Sequence, residues 1–191
     1  MFAKLRNWYL VIILGIIGAM YFNLNRRMDY FEERLDLANG TISLQMYESI
    51  EHWSDSFNIP KHIAYNVAYL ETRYQGPFDF DYNPYQKSFA GAVGPMQIIT
   101  RWARPYVRRR ISEKELKTNI DLNVKISMQM LRNWYSMHGD WTLACGAYNS
   151  GQPIRNGYAQ YATSNKDYKN KWTKLWARHQ IYKSYTFWKY G

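Results

Sequence analysis

From Leu44 to Phe57 the residues Leu44, Tyr47, Ile50, Trp53 and Phe57 fall three or four positions apart. That spacing lines one face of an α-helix and fits neither face of a strand. The pattern recurs along the chain. A helix entered at Pro60, a residue suited to a first helical turn, carries Ile63, Val67, Leu70 and Tyr74 on one side. Between Asn119 and Tyr135, Ile120, Val124, Ser127, Leu131 and Trp134 stay in register, with Gly139 as the stop, and a short helix holds WTLACGAY before Gly151 and Pro153 break it. No alternating series predicts a sheet and no internal repeat is present, so the expected class is mainly α. From Gln75 to Thr100, by contrast, Gly, Pro, Asp and Asn interrupt every period. A loop of that length in a compact domain is usually functional or disordered.

A length of 191 residues suits one domain plus a tether. The tether is expected at the amino terminus, where Leu5 to Phe22 is apolar from Trp8 onward and has Trp8, Tyr9, Tyr21 and Phe22 at its two ends, an aromatic belt. The run is shorter than the roughly 20 residues that span a bilayer comfortably, so a cleaved signal peptide and a buried helix compete with a membrane anchor. No small-x-small cleavage site follows Ala19, which favours the uncleaved anchor. Lys4 and Arg6 on one side and Arg26 and Arg27 on the other leave its orientation undecided. The expected organisation is an anchor over residues 1–27, a juxtamembrane stalk over 28–40 that Asn39-Gly40 terminates, and a globular domain over 41–191.

The formal charge of +10 directs the chain toward polyanions, among them nucleic acid, anionic lipid and the anionic bacterial wall. Aromatic residues make up 18%, a content that suits stacking on sugar faces as well as core packing. Cys145 is the single cysteine, so no intramolecular disulfide exists, and its apolar setting TLACGAY reads as burial. Without clustered Cys or spaced His, neither metal nor cofactor is expected. Arg108–Arg110 and the basic aromatic stretch Lys166–Lys189 are read as solvated charge and as core or lid packing. No nucleic-acid motif accompanies them, which counts against a nucleic-acid partner.

Glu71 is the candidate for chemistry. It borders the apolar face of the Pro60 helix, where partial burial raises a carboxyl pKa and keeps a proton available for a leaving oxygen. A surface ion pair with Arg73 is the alternative. In the following loop Gly91, Gly94 and Pro95 let backbone approach a bulky ligand, Gln97 offers an amide donor and acceptor, and Met96 a pliable apolar surface. Farther on, AYNSGQ sets Tyr148 and Asn149 at a helix end, where the hydroxyl can approach a carboxyl and Asn149 can bond an acetamide or cap the helix.

Taken together, AYLETRY around Glu71, AGAVGPMQII over Ala90–Ile99, NIDLNVKISMQML over Asn119–Leu131 and LACGAYNSG over Leu143–Gly151 resemble the soluble lytic transglycosylase family. This is the goose-lysozyme-like catalytic domain that cuts peptidoglycan, and the likeness runs from about Ile59 to Gly151. It implies a lysozyme-like helical fold with a sugar-binding cleft and Glu71 as the single catalytic acid/base. By the same resemblance Gly94, Met96 and Gln97 line the cleft, Tyr148 and Asn149 stand beside the catalytic group, and Thr72, where the family commonly has Ser, keeps a hydroxyl for the substrate acetamide. Pro95 replaces the usual Leu. The reaction implied breaks the bond between N-acetylmuramic acid and N-acetylglucosamine and closes a 1,6-anhydro ring without water. Hydrolysis with support from Asp79 or Asp81 is the nearest rival, and a non-catalytic wall-binding protein is another. With the anchor, the expected location is a single-pass membrane protein whose domain faces the wall from the periplasmic side. A wall-remodelling enzyme, a virion component and a part of a secretion or conjugation machine all fit that layout.

Overall fold

The computed structural model describes residues 12–23, 25–26, 40–77 and 79–164. The chain divides into two units, one of Met1–Asn39 with Ala177–Gly191 and one of Gly40–Trp176. In the first, residues 12–23 and 25–26 are helical (α1) and expose Ile12, Leu14, Ile17, Met20 and Phe22. No helix among the described residues is long and apolar enough to cross a membrane. Residues 1–11, 24 and 27 of the expected anchor, residues 28–39 of the stalk and the Lys166–Lys189 stretch lie outside the described residues.

The second unit begins with α2, Ile42–Ser56, capped by the Thr41 side chain, which accepts from the Leu44 N–H. Met46, Tyr47 and Ile50 form its buried stripe, while Leu44, Trp53 and Phe57 flank the core only partly buried. α3, Lys61–Thr72, follows directly. Pro60 stands at its N-cap, one position earlier than a first-turn proline, and Ile63, Val67 and Ala68 are buried. Lys61 ties the two helices together by bonding Glu51 and Asp55 of α2 at 2.7 and 2.8 Å.

Within the long loop lies a feature that the periodicity does not predict. Strands β1, Ala92–Val93, and β2, Ile98–Ile99, pair antiparallel as Ala92 with Ile99 and Val93 with Ile98. Strands of two residues are too short to display an alternation. Three further short elements follow, namely α4 (Thr100–Ala103), a 3-10 turn (Arg104–Tyr106) and α5 (Glu113–Thr118).

α6, Ile120–His138, packs against both α2 and α7 and forms the centre of the unit. The Asn119 side chain caps its start and Gly139, at φ 65°, ends it. α7, Trp141–Ser150, starts under Asp140, which accepts from the Thr142 and Leu143 N–H groups, and ends at Gly151. α8, Gly157–Ser164, closes the unit against α3 and α7. Ile50, Ile63, Val67, Val124, Met128 and Leu131 are fully or almost fully buried. Each such side chain contributes about 1.5–3 kcal/mol of transfer energy, which makes this set the main support for everything positioned around it.

Candidate active site

Glu71 occupies the last turn of α3, and the chain leaves it through Arg73 in a left-handed conformation, φ 61°. The Arg73 guanidinium lies over the Tyr69 ring, 5.3 Å from its centroid, so the ion pair offered as an alternative for Glu71 is not formed. The carboxyl is instead partly buried and accepts one hydrogen bond at Oε1 from the Tyr158 hydroxyl, at 2.6 Å. Desolvation pushes its pKa from an ordinary 4.5 to about 7, and the Tyr158 bond, which favours the anion, opposes that rise without cancelling it. Near neutrality the group is therefore divided between acid and base.

Tyr158 reaches Glu71 because α8 is fastened to its neighbours. Asn66 in α3 donates to the Ala162 carbonyl at 2.9 Å, and the Asn156 side chain caps the start of α8 by accepting from the Ala159 N–H. Gly146 in α7 allows the backbone of Ile154 to lie so close that a Cβ there would stand 1.8 Å from the Ile154 carbonyl oxygen. Burial and, next, the charge of Glu71 hold the Tyr158 hydroxyl well above the usual tyrosine range, so it stays a neutral donor. Sequence reasoning stopped at Gly151 and missed this residue. The one available signal was the Asn156-Gly157 helix start, which sets Tyr158 in a first turn.

The Gly-Pro loop is pinned from beneath. Asn123 on α6 accepts from the Met96 N–H at 3.0 Å and donates to the Val93 and Leu116 carbonyls at 3.0 and 2.9 Å. Gly94 has φ +79°, and a Cβ there would fall 2.4 Å from Asn123 Nδ2, so both conformation and space demand glycine. Asn123 was likewise overlooked, although a fully buried amide between Ile120 and Val124 on an apolar face is a signal in itself. Gln97 is held at φ 49°, in the left-handed region that non-glycine residues seldom adopt, and its amide donates to the Gly94 carbonyl at 2.9 Å.

Two of the residues assigned to substrate face inward. Met96 is 0% exposed; with its N–H on Asn123 and its carbonyl accepting from Tyr148, the side chain is turned into the core. Thr72 is buried, and its hydroxyl bonds the Pro95 carbonyl and the Tyr82 hydroxyl, both at 2.8 Å. It fastens the loop to α3. Tyr148 donates to the Met96 carbonyl at 2.6 Å and shares a bond with Ser127 at 2.9 Å. Burial first and the Glu71 charge second raise its pKa well above the usual range, so it senses the carboxyl without bonding it. Asn149 is exposed at the end of α7, with its oxygen 3.3 Å from Asn156 Nδ2.

Burial, and to a lesser extent Asp81, raises the Asp79 pKa, while neither aspartate contributes to the shift of Glu71. The Cys145 thiol is buried and pushed up to about 12, chiefly by desolvation, which makes it a poor nucleophile. Among the described residues no group of His, Cys, Asp and Glu is arranged to hold a metal ion. A cavity of about 600 Å³ lies at Gln45, His52, Thr118 and Asp121. It includes none of the groups around Glu71. What the Glu71 set can do is deliver a proton to a bound oxygen and take one back, steered by a neutral phenol. No curated protein matches the chain. A family model, the transglycosylase SLT domain, matches residues 48–171.

Proposed function

The chain belongs to the transglycosylase SLT family, and from that premise we propose that it is a peptidoglycan lytic transglycosylase with Glu71 as its only acid/base. The observation that carries the proposal is the partly buried carboxyl of Glu71, with a pKa of about 7 and a phenol as its hydrogen-bond partner. The protonated form gives its proton to the oxygen linking N-acetylmuramic acid to N-acetylglucosamine, and that bond breaks. The substrate's acetamido group stabilises the positive ring carbon. Glu71, now a carboxylate, removes the proton of the muramyl 6-hydroxyl, which attacks the ring carbon and closes the 1,6-anhydro sugar. Glu71 ends protonated, as it began, and no water is consumed.

In this reading Tyr158 orients the carboxyl and Tyr148 supports the loop. Gln97, Asn149 and the backbone at Gly94 face the glycan, whereas Thr72 and Met96 act by holding the loop. Residues 5–22 anchor the protein in a membrane with the domain on the wall-facing side, where it opens peptidoglycan locally. The test is mass spectrometry of muropeptides released from purified sacculi. An anhydro product, one water lighter than a reducing end, is expected from the wild type, and Glu71→Gln is expected to bind sacculi without releasing it. A reducing-end product would replace the proposal with hydrolysis. Binding without turnover in the wild type would leave a wall-binding protein, and undiminished turnover by the variant would remove Glu71 from its role.

A further inference from the structure

Arg104, Arg108, Arg109 and Arg110, with Val107 and Ile111, line a cavity of about 560 Å³ that the chemistry at Glu71 does not use. Among the described residues one of the four charges is answered: Arg109 is tied to Glu115 by a two-pronged pair. Arg104, Arg108 and Arg110 are exposed and form no ion pair among the described residues. Guanidinium groups gathered at one concavity repel one another, and an anion with several acceptor oxygens relieves that repulsion. Immediately before them Trp102 is 54% exposed, with the Arg101 guanidinium 5.1 Å from its ring.

We propose that this segment, Arg101 to Ile111, is a docking surface for anionic phospholipid headgroups. Charge complementarity supplies the attraction, and two further observations select a bilayer over a nucleic acid. The arginines surround a cavity with apolar Val107 and Ile111 in its wall, a setting for a single headgroup phosphate rather than for a linear phosphate array. The exposed indole beside them is of the kind that settles at the boundary between headgroups and acyl chains. The same chain carries the apolar helical segment α1. If α1 tethers the chain, the arginine surface adds a second, charge-dependent contact made by the globular domain itself.

The experiment uses the full chain, so the measured quantity is the ratio of its partition into phosphatidylglycerol-containing vesicles to that into pure phosphatidylcholine vesicles. A tether that acts only through its apolar surface contributes equally to both and cancels. The triple variant Arg104→Gln, Arg108→Gln, Arg110→Gln is expected to lower the ratio by roughly fivefold per arginine, on the order of a hundredfold in all. High salt should erase the difference. Digestion of sacculi by the variant should be unchanged. A charge-matched control, Lys166→Gln, Lys169→Gln, Lys171→Gln, should keep most of the ratio. An equal loss in the control would show attraction by net charge alone and overturn the proposal, as would a triple variant whose ratio is unaltered. Salt-sensitive binding of duplex DNA that exceeds vesicle binding and disappears in the triple variant would overturn it in favour of a nucleic acid.

Discussion

Replacing Glu71 with Gln should make the protein more stable, by a margin that is absent in acid and builds as pH rises through a defined window. The carboxyl titrates near 4.5 in an unfolded chain and near 7 in the folded one. Below about 4.5 both states hold the proton and the group costs nothing. Between the two values the unfolded chain releases it while the folded one retains it, so the native state binds more protons and stability falls as pH rises. Above about 7 the loss is complete, because the native carboxylate is then ionised in a desolvated setting. A gap of about 2.5 pH units, at about 1.4 kcal/mol per unit, corresponds to a loss on the order of 3 kcal/mol. Gln stays neutral throughout and its carbonyl can still accept from Tyr158. The difference between variant and wild type should therefore be flat in acid, grow across the window and level off, reaching about 6–12 °C in Tm for a domain of this size. Thermal melts of both proteins at closely spaced pH values measure it, and subtracting one curve from the other removes every other titrating group. Parallel curves would refute the claim that desolvation, and not a local ion, sets this carboxyl.

Tyr158→Phe removes the one contact that favours the anion, so the Glu71 pKa should rise further and the alkaline limb of a pH–activity profile should move to higher pH; an unmoved limb would show that the hydroxyl does not act on the carboxyl. Gly94→Ala forces a side chain into a left-handed backbone and against Asn123, and should cost about 2–4 kcal/mol in denaturant melts, with activity lost in the protein that remains folded. Asn123→Ala strands the Met96 N–H and the Val93 and Leu116 carbonyls, a loss of about 3 kcal/mol by urea titration; a cost below about 1 kcal/mol would mean that water replaces the amide at little expense.

Of the long helices of the second unit, α2, α6 and α7 were readable from boundary residues of their own, and α3 from its apolar spacing. Thr41, Asn119 and Asp140 cap starts, Gly139 and Gly151 end helices, and in α2 and α6 buried residues recur at helical spacing. Glu71 was readable for the same reason: its place on α3 follows from periodicity, and partial burial follows from its position beside the apolar face. The hairpin of Ala92–Ile99 was not, since pairing of such short strands depends on Asn123, a residue from another helix. The orientation of Met96 escaped for a related reason. A loop rich in Gly and Pro suggests contact with ligand, yet the bonds from Asn123 and Tyr148 to its backbone decide which way the side chain turns. Tyr158 lies 87 residues from Glu71, and no local pattern encodes a distance that only the docking of α8 on α3 creates.

That docking has a bearing on when the protein becomes competent. A ribosome must complete nearly the whole globular unit before the phenol can meet the carboxylic acid, so a nascent or prematurely terminated chain that ends before Asn156 holds the acid without its partner and without the helix that covers it. Chains cut short at Gly151 should accordingly show a Glu71 that titrates closer to an ordinary glutamate, which carbon-13 labelling of its carboxyl would reveal.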